Sequence, residues 1–337
     1  MKNYCIFELA ALAALTFASC SSESVEDLGG NQTSQQVAIG FDGYLGRSAV
    51  DTRGSVSNLE AIQATDKGFG VFGNHTTSDG TTPTYGQNMF KNQSVTYSST
   101  DLKWTYTPVK YWPTAGHIDF LAYAPFDKDQ ELKNNKNLDF RVNSDVTKQI
   151  DLLWDNAANK TKTTEKVKFT FKHALAKIGY SVKSTNNDAS TTITVKSIKL
   201  VGSEDEKTNA FYTTGTIDLS KANGAEDLWT TYSADTKQNF TLLSSDQTLS
   251  TEYKPENYLF VIPQDFSGTA NNLYVVVEYT VKTGESEITN KVSKEITKDF
   301  KQGKAYMINL IIGLTPIEFE ATVESWGSDT NEDIELN

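Results

Sequence analysis

Apolar residues recur at every second position through much of this chain. In 37–44 (VAIGFDGY), Val37, Ile39 and Phe41 share one side, with smaller or polar residues between them. A period of two predicts a β-strand with one buried face. The same pattern predicts strands at 68–72, 103–106, 117–123, 167–171, 178–182, 193–200, 258–262, 274–281 and 306–312, and a last one at 317–323. Polar segments such as 184–190 (STNNDAS) and 282–285 (KTGE) separate them, and these are turn chemistry. No amphipathic helix exceeds two turns. Many short strands joined by polar turns predict an all-β chain built as a sandwich or barrel. The 15 Tyr and 17 Phe, against 3 Met, agree with that, because aromatic side chains suit a pleated, half-buried surface.

The N-terminus follows a different pattern. Lys2 precedes an apolar run at 9–17 (LAALAALTF), which has secretory length and is too short for a stable transmembrane helix. Ala18 and Ser19 then lead into Cys20, as in the lipobox of bacterial lipoproteins. The expectation is a signal peptide at 1–19 and a lipidated Cys20 as the mature N-terminus. A plain signal peptide with an incidental Cys is the alternative. Residues 21–36 are polar, rich in Ser, Gly and Gln, and predict a flexible tether. The only cysteines are Cys5 and Cys20, so the mature chain has no pair for a disulfide and core packing must supply its stability.

A length of 337 residues predicts two domains, placed at 37–165 and 166–337. The division follows the polar stretch 156–166 (NAANKTKTTEK), read as a linker. A formal net charge of -12 and a pI near 4.8 disfavour nucleic acid, which is bound through basic patches, and direct adhesion to anionic headgroups.

Catalytic and metal chemistry is not expected. His75, His117 and His173 are isolated and have no cysteine partners for zinc. Asp127, Asp129 and Glu131 resemble part of a calcium loop, but Leu132 stands where such a loop needs Gly, so a solvated turn is the expectation. No glycine-rich phosphate loop or G-x-S-x-G elbow is present. The chain is therefore read as a non-enzyme without a cofactor. Of the five tryptophans, Trp104, Trp112 and Trp326 fall on strand patterns and predict core positions. Trp229, in the polar run 226–232 (EDLWTTY), is the candidate glycan contact, with burial as the alternative.

Three segments together resemble the fimbrillin-like family, the type V pilins of Bacteroidota. They are Lys110-Tyr111-Trp112-Pro113 with 118–125 (IDFLAYAP), 151–154 (DLLW) with 169–177 (FTFKHALAK), and the closing pair 303–314 and 317–326. Asp155 replaces a small residue of the family pattern. The resemblance implies two tandem transthyretin-like β-sandwich domains. It also implies export as a lipoprotein, a cut after an Arg behind the first strand, and filling of the vacated groove by a strand of the next subunit. Arg47 and Arg53, two of only three arginines, sit in a Gly- and Ser-containing stretch suited to proteolysis. Ordinary surface arginines are the alternative. Val37, Ile39 and Phe41 would belong to the displaced strand, residues 37–45. Ile317, Phe319, Ala321 and Val323 alternate with charged or polar residues and are the candidate donor strand. Alternatively they are the last strand of the second domain, leaving 333–337 as part of a donor. The implied partners are other fimbrial subunits, the outer membrane through the lipid, and a host protein or glycan. The rival reading is a monomeric glycan-binding lipoprotein of the outer-membrane surface.

Overall fold

The structure, a computed structural model, describes residues 36–45, 67–78, 80–222, 225–314, 318–325 and 332–334. Eight strands come first: β1 (Phe41–Leu45), β2 (Phe69–Thr76), β3 (Phe90–Ser98), β4 (Lys103–Thr105), β5 (His117–Ala124), β6 (Asn137–Arg141), β7 (Leu153–Lys160) and β8 (Val167–His173). All but β6 form a seven-stranded sheet in the order β1-β8-β7-β5-β2-β3-β4. Its β8 alternates buried and exposed positions without interruption. Every position of β5 is buried, because both faces of the sheet are covered there.

The next strands are β9 (Ala176–Ser184), β10 (Thr191–Val201), β11 (Phe211–Tyr212), β12 (Thr214–Asp218), β13 (Trp229–Tyr232), β14 (Lys237–Gln238), β15 (Phe240–Leu243) and β16 (Gln247–Thr248). They continue with β17 (Lys254–Val261), β18 (Gln264–Asp265), β19 (Tyr274–Thr283), β20 (Ser286–Glu295), β21 (Asp299–Phe300), β22 (Lys304–Ile312), β23 (Glu318–Ser325) and β24 (Glu332–Ile334). Two five-stranded sheets dominate: β15-β10-β19-β20, with β16 also on β10, and β17-β9-β22-β23-β24. The only described helices are single 3₁₀ turns at Val146–Lys148 and Ala234–Thr236. The all-β, sandwich-like class expected from the alternation is the class observed.

Two hydrophobic cores result. One holds Phe41, Phe69, Phe90, Phe120, Phe169 and Phe171 with Trp104 and Trp112. The larger one takes Phe72, Leu121, Tyr123 and Trp154 from the first sheet and joins them to residues of β9, β10, β19 and β22. Alternate residues of β5 therefore serve different cores: Phe120 and Ala122 face one, Leu121 and Tyr123 the other. The chain crosses between sheets at Ala174 and Leu175, both fully buried. Their backbone is tied on three sides: Ala174 N–H to Leu152 O at 2.8 Å, Gly303 N–H to Leu175 O at 2.8 Å, and Trp229 Nε1 to Ala174 O at 2.7 Å. β6 pairs with β12, so the early and late parts of the chain also share a three-stranded sheet.

The stretch 156–166, read as a linker, is strand over its first half. Its polar side chains fasten neighbouring loops instead of meeting only water. Asn156 Nδ2 donates to Leu219 O at 2.9 Å and Lys221 O at 2.6 Å, and Asn159 Nδ2 donates to Thr81 O at 2.9 Å.

Candidate functional site: the first strand and its groove

Residues 37–45 lie between two partners. On one side β1 runs parallel to β8, from Phe41 opposite Val167 to Leu45 opposite Phe171. Val167 N–H donates to Gly40 O at 2.8 Å. On the other side, Ile39 N–H donates to Lys110 O and Trp112 N–H donates to Val37 O, each at 2.8 Å, around an antiparallel bridge between Ala38 and Tyr111. Tyr106 adds a bond from its hydroxyl to Ile39 O at 2.7 Å. This second partner was not expected; the YWP segment carried a family likeness but no strand-length alternation that would announce a pairing.

The side chains follow the predicted alternation. Ile39, Phe41 and Leu45 are 2%, 1% and 4% exposed, whereas Tyr44 is 48% exposed. The Phe41 ring meets four others: Phe90 at 5.4 Å, Tyr106 at 5.3 Å, Phe120 at 5.5 Å and Phe169 at 6.0 Å between centroids. Burying each of these large apolar side chains is worth about 1.5–3 kcal/mol, so several kcal/mol of this core depend on the segment. Gly43 leaves room for this close approach, since a Cβ there would lie 3.1 Å from the Phe69 ring and the ring would have to give by a few tenths of an ångström.

Charge near the groove is subdued. Lys110 sits with Nζ 4.6 Å from the Phe90 ring centroid and bonds Met89 O; burial lowers its pKa. Burial raises the Tyr106 phenol, with the Lys110 backbone bond acting in the opposite sense. The groove under β1 is thus an apolar, aromatic slot bordered by backbone hydrogen-bonding groups. It suits a β-strand with alternating apolar side chains and, among the described residues, presents no nucleophile or acid–base pair.

The other predicted positions are dispersed. Phe319, Ala321 and Val323 lie in β23, opposite Leu310, Ile308 and Tyr306 of β22, and β24 covers the far edge with Ala321 opposite Ile334. Ile317, Cys20, Arg47 and Arg53 lie outside the described residues. Trp229 is 8% exposed, its indole N–H is used by Ala174, and its ring fills the space above Gly215. It is a core residue and presents no open ring face to a sugar.

Two histidines pair with buried carboxylates. His173 Nδ1 lies 2.7 Å from Asp151 Oδ2, and His117 Nε2 lies 3.4 Å from Asp119 Oδ2. The His173 pair is set by register, since β7 and β8 align Leu153 with His173 two residues past Asp151. Among the described residues, no group of three His, Cys, Asp or Glu is placed to hold a metal.

Comparison with known proteins places the architecture. A candidate cell adhesion protein of Bacteroides uniformis is 18% identical and superposes with a TM-score of 0.53, covering 86% of this chain and 99% of its own. A second candidate cell adhesion protein, from Bacteroides ovatus, is 15% identical with a TM-score of 0.51, covering 88% of this chain and 99% of its own. At such identities the likeness is one of fold. No curated protein matches the chain. The family model for fimbrillin-like proteins matches residues 52–326, and with the motifs and the fold in agreement the chain belongs to the fimbrillin-like family.

Proposed function

We propose that the chain is a fimbrial subunit that joins its neighbours by strand exchange and serves surface adhesion, and that it is not an enzyme. One observation carries the reading. Residues 37–45 lead into and include β1, at the end of the first sheet; their buried face completes an aromatic core, and Arg47 follows Leu45 by two residues. Cutting there and losing the strand exposes Phe90, Phe120 and Phe169 and frees the β8 edge and the 110–112 backbone. Both changes are unfavourable in water, and a strand donated by another subunit reverses both.

In this proposal Cys20 carries the lipid, residues 21–36 span from the outer membrane to the fold, and Arg47 or Arg53 is the processing site. The donor comes from Ile317, Phe319, Ala321 and Val323, or from the tail around 333–337. Partners are further fimbrial subunits at the cell surface, together with a host protein or glycan. A two-domain organisation is kept, with the division drawn after β8, near Ala174, in place of 165/166, because β8 belongs to the first sheet.

The test uses the mature chain from residue 21 onward. An Arg-specific protease is added, the new N-terminus is read by mass spectrometry, and products are run unboiled. The expected result is a cut after Arg47 or Arg53 followed by heat-resistant multimers. Resistance to cutting, or a cut product that stays monomeric, contradicts strand exchange and favours the monomeric glycan-binding lipoprotein.

A further inference from the structure

We propose that the cleft beside the 125–130 loop is a binding site for a neutral sugar ring, separate from the strand groove. The cleft has a volume of about 390 Å³, within the range of small-molecule sites. Its apolar wall is Pro125, Phe126, Phe140 and Leu152, with Ile150, 45% exposed, at the mouth. Polar side chains complete the lining: Lys67, Asp127, Lys128 and Gln130, together with Tyr123.

The polar groups have capacity to spare. Asp127 Oδ1 accepts from Asp129 N–H at 3.0 Å, and Gln130 Nε2 donates to Asp139 O at 3.1 Å. Among the described residues nothing engages Asp127 Oδ2, Gln130 Oε1 or Lys67 Nζ. One uncommitted ammonium and two uncommitted acceptor oxygens thus belong to residues that line the cleft beside the Phe126 and Phe140 rings. A pyranose matches that set: its C–H face packs on a ring, and its hydroxyls both donate and accept. An acyl chain would leave all three polar groups unused. An anion would meet the Asp127 carboxylate, while the second ammonium of the lining, Lys128, is already held by Asp129 at 2.6 Å.

The site is also rigid, which lowers the entropic cost of binding. Tyr123 Oη donates to Asn92 Oδ1 or Asp127 O, each at 2.8 Å, while Asn92 Nδ2 donates to Asp127 O and Gln130 O at 2.9 Å. Phe126 N–H is fixed to Gly68 O at 3.1 Å. Phe140 is braced edge-on by Trp229, with centroids 6.5 Å apart and planes at 68°. The tryptophan that the sequence marks for a glycan thus stands behind the ring that would touch one.

The test probes the mature chain with an array of neutral and sialylated oligosaccharides, followed by NMR titration with the methyl glycoside of the preferred neutral sugar. Wild type is expected to bind neutral glycans. Phe140→Ala and Asp127→Asn are each expected to weaken binding by about tenfold. Asp127→Asn changes little shape in an exposed side chain, so an unchanged melting temperature separates lost binding from lost fold, and strand-exchange assembly should persist in it. Absence of neutral-glycan binding, preference for sialylated ligands, or full affinity in Asp127→Asn overturns the proposal.

Discussion

Phe41 of β1 lies ring against ring with Phe169 of β8, centroids 6.0 Å apart and planes 22° from parallel. The contact joins residues more than a hundred positions apart through the parallel pairing of β1 with β8. Truncating Phe41 removes four aromatic contacts at once and leaves a cavity that rigid strands cannot close. Phe41→Ala is expected to cost about 3–5 kcal/mol in urea unfolding, whereas Tyr44→Ala, on the exposed face of the same strand, should stay within about 0.5 kcal/mol. Similar losses for the two would contradict the one-sided burial of β1.

The His173–Asp151 pair is buried at the point where the chain leaves the first sheet. Removing one partner strands the other away from water. Asp151→Ala is expected to lower stability by about 3 kcal/mol or more, and Asp151→Asn, which keeps an acceptor of the same shape, by distinctly less. Denaturant midpoints of the two variants decide this; equal effects would mean that packing alone, and not the polar pair, matters there.

Gly68 has φ of +58°, and a Cβ built on it lies 2.0 Å from Val95 O. Neither the backbone conformation nor the space admits a side chain. Gly68→Ala is therefore expected to shift β3 away from β2 and lower the melting temperature, while Gly284→Ala, also at positive φ but in open space, should cost less. Thermal unfolding of both variants compares strain alone with strain plus collision.

Alkaline stability should fall in a defined window. Burial is the main cause that raises both the Tyr85 and the Tyr123 phenol to about 12, from an ordinary 10.0. Carboxylates, led by Asp119, add to the effect at Tyr85, while bonds to Asp127 and Asn92 oppose it at Tyr123. The folded protein then holds protons that the unfolded chain releases, so this stability is present below pH 10 and is lost as pH rises towards 12. Phenolate absorbance on alkaline titration should show Tyr85 and Tyr123 within the late-ionising fraction, with Tyr85→Phe reducing that fraction by one tyrosine. Early titration of both would contradict their burial.

Much of the fold was legible from alternation alone. The run 37–44 announced a one-sided strand, and its buried residues are those the period selects, because a half-buried strand must write its two faces into successive positions. Strands lacking that contrast were not legible. β20 has Ile288 and Val292 among charged and polar residues, since it is an outer strand held to β19 by backbone bonds that leave no trace in side-chain type. β3 buries Phe90 and Val95 but leaves most of its other positions half exposed. Half of 156–166 looked like a linker because asparagines that cap loops resemble asparagines that face water. Trp229 misled in the same way, its polar neighbours occupying the exposed side of a short strand. The pairings β1 with β8 and His173 with Asp151 depend on long-range register, which no local pattern encodes. The cleft beside 125–130 was hidden for the same reason, since Phe140 and Phe126 come to line one cleft only through the fold.

The most direct test places a photo-crosslinking phenylalanine analogue at Phe169, in a mixture of isotopically light and heavy mature protein. Before processing, the adduct should map to residues 37–45 of the same chain. After Arg-specific cleavage and assembly, it should map to the C-terminal segment from 317 onward, in pairs that join light to heavy chains. An adduct that stays on 37–45, or assembled material without light–heavy pairs at this position, would contradict the account of the first strand as a displaceable element and of its groove as the subunit joint.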